Sequence, residues 1–225
     1  MVLKAYWPLD ETSGSTAYDV RNGNNGSVGD GGDSTVLGGT GILGSNCYSF
    51  DGNNDYVSVP QSESISAENS VSFSAWTLPQ ETQQAWAALV QRRLPDPTYY
   101  DAVLRAYNGD RWEFAIYNGS EWKSARSPSS YSEGNWQHVT GVYDGATAYL
   151  YVNGELLDTV SHGKLTGSIN DVLIGRYDDY GSNNNFFSGK IQHVRIYDHA
   201  LTPQEVQYLY SVGKRGLHVS SERTL

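Results

Sequence analysis

The residues with most chemistry to offer are aromatic rings interleaved with planar polar groups. Trp86 precedes Arg92 and Arg93; Tyr99, Tyr100 and Asp101 follow, then Trp112 and Trp122; later Tyr177, Asp178 and Tyr180 lead into Asn183, Asn184 and Asn185. Six Trp and seventeen Tyr in 225 residues exceed what one core of this size uses. Sugars present apolar C–H faces and many hydroxyls, so a flat ring flanked by amides, carboxylates and arginine grips them without any perturbed acid. Tyr99, Tyr100 and Tyr180 sit among Pro, Asp and Gly, in stretches that read as loops where burial is least expected. Trp7, Trp76 and Trp136 read instead as packing. Trp112 and Trp122, on either side of Asn118-Gly119, suit either a ligand or a cross-strand stack.

Bond-breaking chemistry finds less support. A retaining glycosidase needs two carboxyls about 5 Å apart facing one cleft, hence acids at alternate positions of a strand. Asp178 and Asp179 are adjacent and would point to opposite sides of an extended chain, while Glu113 and Glu121 have no acidic partner at strand spacing. His138 reads as a strand histidine bonding across the sandwich, and there is no Gly-x-Ser-x-Gly elbow. For a metal, Asp19, Asn22 and Asn24 place three hard oxygen donors within six positions, enough to help fill a Ca²⁺ shell. An Asx-rich turn without an ion accounts for them equally.

The formal charge of -10 argues against a nucleic-acid backbone or an anionic membrane as partner. No run of apolar residues approaches the ~18 of a membrane helix, and residues 1–20 lack the charged start and apolar middle of a signal peptide. The expectation is an excised module, or a protein that leaves the cell by another route such as lysis. Cys47 is the single cysteine, which excludes an internal disulfide and makes packing the source of stability.

The elements that must hold these residues read as strands throughout. Leu3, Ala5, Trp7 and Leu9 alternate with Lys4 and Tyr6, and Val71, Phe73 and Ala75 alternate with Ser72, Ser74 and Trp76. Asn108-Gly109, Asn118-Gly119 and Asn153-Gly154 mark three hairpins, because that dipeptide accepts positive φ at both central positions of a tight turn. Asp144-Gly145 adds a further turn, so residues 136–160 form a three-stranded meander with Tyr149 and Tyr151 on its outer face. Asp51-Gly52 separates two more strands, and residues 176–187 read as a polar, aromatic loop. A break in alternation predicts a bulge near Gln192 or His193 in the last strand. Thr202-Pro203-Gln204-Glu205 is a capping box opening a short helix that ends near Gly213. One domain over 1–213 is expected, with 214–225 a tail or a linker to a neighbouring module.

The segments AYWPLDETSGSTAYDVRNGNNGSV, YSFDGNNDYVSVP, SFSAWTLP, NWQHVTGVYDGATAYLYVNGEL and FSGKIQHVRIYDHALTPQEV, in that order, resemble the laminin-G-like branch of the concanavalin A-like lectin/glucanase superfamily over residues 3–212. The resemblance implies an all-β, two-sheet antiparallel sandwich of jelly-roll topology with its first and last strands paired. It also implies a binding surface on the concave sheet or its rim loops. The family's Gly-x-Ile-Asp before the final strand often lends that Asp to calcium; here Gln192 takes the place, an amide oxygen that can ligate Ca²⁺ but brings no charge.

The function expected is a non-catalytic, lectin-like module that recognises cell-surface or polysaccharide glycans outside the cell or on a virion. Its site is assigned to Trp86, Arg92, Tyr99, Tyr100, Asp101, Trp112, Trp122, Tyr177, Asp178, Tyr180 and Asn184. Any structural Ca²⁺ falls to Asp19, Asn22, Asn24 and Gln192. The alternative is an adhesion or structural module that binds protein.

Overall fold

The computed structural model describes residues 2–29, 37–42, 45–66, 69–94, 100–161, 163, 165, 171–178 and 184–215. In chain order the strands are β1 (Leu3–Trp7), β2 (Thr16–Ala17), β3 (Gly26–Val28), β4 (Gly39–Thr40), β5 (Asn46–Asp51), β6 (Val57–Val59), β7 (Val71–Pro79), β8 (Ala88–Arg93) and β9 (Tyr100–Tyr107). Next come β10 (Arg111–Tyr117), β11 (Trp122–Arg126), β12 (Gln137–Tyr143), β13 (Thr147–Val152), β14 (Glu155–Ser161), β15 (Val172–Ile174), β16 (Arg176–Asp178), β17 (Asn184–Phe186), β18 (Ser188–Tyr197) and the helix α1 (Pro203–Arg215).

Two antiparallel sheets form the sandwich. The first runs β14-β13-β12-β7-β18-β5-β4, with β1 also on β18; the second runs β11-β10-β9-β8-β15-β6-β3-β2. The first and last strands pair, as the resemblance implied. The predicted bulge explains how β18 serves two neighbours on one side. Its first half pairs with β5 and its second with β1, and His193 at φ 56° makes the jog between them.

Alternation places one face of each strand in the core. Phe73 of the first sheet meets Phe114 of the second edge-to-face at 5.9 Å, a contact that anchors the two layers. Gly141 on β12 is required beneath it, since a Cβ there would stand 2.2 Å from the Phe114 ring. Two indole groups brought between the sheets find acceptors: Trp7 Nε1 donates to Asn24 O at 2.8 Å and Trp112 Nε1 to Gln137 Oε1 at 3.2 Å. Cys47 is wholly buried, and that burial pushes its thiol up to about 11, against the pull of Lys190.

All three Asn-Gly hairpins form, joining β9 to β10, β10 to β11 and β13 to β14. Asp51-Gly52 separates two strands as expected, and it carries the chain from β5 in the first sheet to β6 in the second. Other expectations need correction. Leu3 leaves the core face of β1, since the register slips between Leu3 and Ala5; it packs beside Tyr197 and Leu201 instead. Within 176–187, β16 and β17 pair as a small hairpin rather than remaining a loop.

The outer face of the meander is not open. Helix α1 lies over it, with Val206 buried against Val142 and Tyr151. Thr202 caps that helix: its Oγ1 accepts the Glu205 N–H, and Glu205 Oε2 accepts the Thr202 N–H at 2.7 Å. The helix runs through Gly213 rather than ending there. Its reason for glycine is proximity: a Cβ would stand 2.1 Å from Trp76 Nε1.

Candidate functional site

The outward face of the second sheet carries a groove of about 310 Å³ across β9, β10 and β11. Alternation again decides which residues reach it. On β9, Leu104 and Ala106 enter the core while Val103 and Arg105 turn outward; on β10, Trp112, Phe114 and Ile116 enter while Glu113 and Ala115 turn outward. On β11, Ala125 is inside, and Trp122, Ser124 and Arg126 face the groove.

One wall is the β16–β17 hairpin, and glutamine amides hold it in place. Gln91 Nε2 donates to Asp178 O and its Oε1 accepts the Asp178 N–H, both at 2.8 Å. Gln84 Oε1 accepts the Phe186 N–H, and Gln83 bonds both backbone groups of Ser188. Arg93 adds ion pairs to Asp171 and, at 2.7 Å, to Asp178. This scaffold brings Tyr177 over Ala88, Val103 and Ala115, next to Trp86.

Trp86 itself adopts φ 75°, a conformation bulky residues avoid. Its N–H is fixed to Ala106 O at 2.9 Å, and its ring meets Tyr107 edge-on at 5.1 Å. Arg105 lies between two rings, 4.3 Å from the centre of Trp86 and 5.0 Å from that of Tyr177. Trp122 stacks on Tyr117 at 4.5 Å and remains 37% exposed.

Beneath the rings lies an arginine–glutamate–arginine array. Glu113, fully buried, receives Arg105 Nε on one carboxylate oxygen at 2.6 Å and Arg126 Nε on the other at 2.7 Å. Burial alone would raise its pKa, but Arg105, Ser124 and Arg126 outweigh that and hold the carboxyl below the ordinary range. It is therefore ionised at neutral pH. Among the described residues lining the groove Glu113 is the single carboxylate, and it is committed to two cations.

The residues assigned from sequence thus divide. Trp86, Trp122 and Tyr177 come together in the groove. Arg92 and Asp101 do not reach it: both are fully buried and bonded to one another, Arg92 Nε to Asp101 Oδ1 at 2.7 Å, with no surface for a ligand. Trp112 is also in the core, against Tyr131 at 4.7 Å, so it neither faces a ligand nor stacks on Trp122. Asp178 is paired with Arg93 and Arg176 in the wall. Tyr99 and Tyr180 lie outside the described residues, as do the side chains of Tyr100 and Asn184. Arg105, Glu113 and Arg126 were missed, although the signal was present: they are direct cross-strand neighbours once register is counted from the two Asn-Gly hairpins.

His138 bonds sideways rather than across the sandwich, its Nε2 lying 2.9 Å from Ser74 Oγ on the adjacent strand. Burial, with Arg195 and His193 adding to it, lowers its pKa to about 3, so the ring is neutral.

The residues named for calcium are engaged in hydrogen bonds within the protein. Asp19 accepts five N–H groups, from the backbone of Tyr6, Arg21, Asn22 and Asn24 and the side chain of Asn24. Gln192 serves elsewhere: its Oε1 accepts the Ile42 N–H at 3.0 Å and its Nε2 donates to Ser45 and Asn46. Among the described residues no group of three or more His, Cys, Asp or Glu is placed to hold a metal ion.

Comparison with known proteins agrees with this architecture. A laminin G model of the concanavalin A-like lectin/glucanases superfamily matches residues 51–207. No curated protein matches. Domain 4 of AbnA, an extracellular arabinanase of Geobacillus stearothermophilus solved with arabinotriose, superposes with a TM-score of 0.66 at 19% identity, over 92% of this chain and 98% of that one. The botulinum neurotoxin serotype G binding domain superposes with a TM-score of 0.68 at 16% identity, over 94% of this chain. The binding domain of Paraclostridial Mosquitocidal Protein 1 gives 0.69 at 16% identity, over 92% of this chain. This chain spans 51% of each toxin domain.

Proposed function

The chain belongs to the concanavalin A-like lectin/glucanases superfamily, and on that premise we propose that it is a non-catalytic carbohydrate-binding module acting outside the cell or at a surface. The observation that carries this reading is the groove's composition: three aromatic rings beside a charged, hydrogen-bonding floor on the outward face of the second sheet. Rings supply the apolar platform a pyranose needs, and the arginines and Ser124 supply donors for its oxygens. A strained Trp86 is consistent with a residue retained for a ligand rather than for stability. Hydrolysis is disfavoured because Glu113 is ionised, buried and lacks an acidic partner among the groove's described residues. The bound arabinotriose of the arabinanase domain supports this class of partner, and the botulinum neurotoxin type G receptor-binding domain supports a binding role more generally.

A glycan array with wild-type protein and Trp122→Ala tests the proposal. Binding to a subset of glycans, weakened about tenfold or more in Trp122→Ala with its fold intact, is expected for loss of an exposed stacking ring. A folded wild-type protein that binds no glycan would transfer the reading to a protein-binding adhesion module.

A further inference from the structure

Resting on the glycan-binding reading, we propose that the groove selects acidic saccharides, a uronate or sialate whose carboxylate is received by the terminal amino groups of Arg126. The geometry of that one side chain carries the argument. Arg126 stands at the groove's edge with its side chain 45% exposed. Its Nε is used, donating to Glu113 Oε1 at 2.7 Å, and its guanidinium carbon lies 4.0 Å from the centre of the Tyr107 ring. Among the described residues, Nη1 and Nη2 hydrogen-bond to nothing. A guanidinium pinned at Nε and held over an aromatic ring leaves its two terminal amino groups for a ligand. Those groups are the fork that matches a carboxylate with two parallel N–H···O contacts. Since the side chain is already ordered, little rotamer entropy is lost when the ligand arrives.

Charge points the same way. The chain carries a formal charge of -10, yet the groove's charged lining residues are two arginines and one glutamate, a local balance of +1. Glu113 divides its two oxygens between Arg105 and Arg126, so it neutralises only one of them. Asp158 Oδ2 also lies near, but it accepts the Arg126 backbone N–H at 2.8 Å, so a carboxylate on the ligand is what meets the guanidinium's terminal amino groups. Arg105 is less suited to that contact, being enclosed between Trp86 and Tyr177 with its side chain 8% exposed. Trp122 and Arg126 lie on the same face of β11 four residues apart, roughly 13 Å along an extended strand. That distance exceeds one pyranose ring, so the ligand stacks one sugar on Trp122 and presents the acid of another to Arg126.

Matched pairs decide it: trigalacturonate against galactotriose and sialyllactose against lactose, titrated by calorimetry, beside an array carrying acidic, sulfated and neutral glycans. We expect at least one acidic member to bind about tenfold or more tighter than its neutral partner, the size of a charge-assisted contact at a half-exposed site. Arg126→Gln should bring that ratio close to one, and Arg126→Lys should restore part of it, because lysine keeps the charge without the fork. The wild-type ratio stands as evidence even if a variant fails to fold. Neutral glycans bound as tightly as acidic ones, or sulfated glycans bound alone, would overturn this inference and leave the glycan reading in place. Folded protein that binds no glycan would overturn both.

Discussion

On the outward face of the first sheet, Trp76 lies under Tyr210 of α1 with ring centres 5.7 Å apart and is 2% exposed. On the outward face of the second sheet, Trp122 lies against Tyr117 at 4.5 Å and is 37% exposed. Both rings face away from the core by the same period-two rule, and both sit among polar neighbours. What separates them is the cover. The first face is roofed by a helix and has become a second core; the second is walled along one side by the β16–β17 hairpin and, among the described residues, keeps a groove. An aromatic ring on a sheet's outer face is therefore not evidence of binding until its cover is known.

If the roofed face is core, its residues must cost like core. Trp76→Ala should destabilise by about 3–5 kcal/mol, the range for truncating a buried tryptophan. Urea unfolding measures it, and a loss below about 1 kcal/mol would place Trp76 in the same class as an exposed ring. Gly213→Ala is the next largest effect and has a telling sign. Alanine in a helix interior is normally stabilising by about 1 kcal/mol over glycine. Here its Cβ would stand 2.1 Å from Trp76 Nε1, so a net loss of about 1–3 kcal/mol is expected instead, the cost of overpacking. A stabilised variant would mean that α1 is not seated on Trp76.

Acid separates the faces differently. Burial, with Arg195 nearby, holds His193 at about 3, as burial with Arg195 and His193 holds His138 at about 3, against ~6.5 for a free histidine. The unfolded chain takes up these protons first, so their contribution to stability is full above pH ~6.5 and falls as pH drops toward 3, by about 1.4 kcal/mol per unit for each histidine. Among the described residues lining the groove the one carboxylate, Glu113, is held below the usual carboxylate range and does not titrate there. Urea midpoints should therefore fall between pH 7 and pH 5 while affinity for glycan stays level. Affinity that tracked the histidines would tie the two faces together.

The legible parts of the molecule were the local ones. Asn-Gly turns, the bulge beside His193 and the Thr202 capping box are each set within a few residues by backbone geometry, and each is found. Sheet membership was not legible, because Asp51-Gly52 has good turn chemistry whether the chain pairs back or crosses to the other layer. Nor was burial of polar residues. Arg92 and Asp101 have the composition of a ligand site, but two opposite charges nine residues apart on neighbouring strands can satisfy one another inside the protein. Parity would have helped: Trp112 shares its face with Phe114 and Ile116, which places it inward, while Glu113 falls outward between Arg105 and Arg126. The position of α1 depended on Gly213, a residue that reads as a helix end until its neighbour Trp76 is seen.

The smallest expected change in stability tests the grooved face most sharply. Trp86 is half-buried, its ring meets Tyr107 and Arg105, and its backbone sits at φ 75°. Trp86→Gly removes the ring contacts and at the same time removes the strain, since glycine adopts positive φ freely. Loss of packing is thus offset by relief of about 1–3 kcal/mol, the usual cost of a residue held in such a conformation. A net destabilisation below about 1 kcal/mol is expected, far short of the effect at Trp76, together with a loss of glycan affinity of about tenfold or more. Unfolding and calorimetry on the one variant give both numbers. A large loss of stability with affinity retained would reassign Trp86 to structure, and the two faces would then differ in exposure but not in purpose.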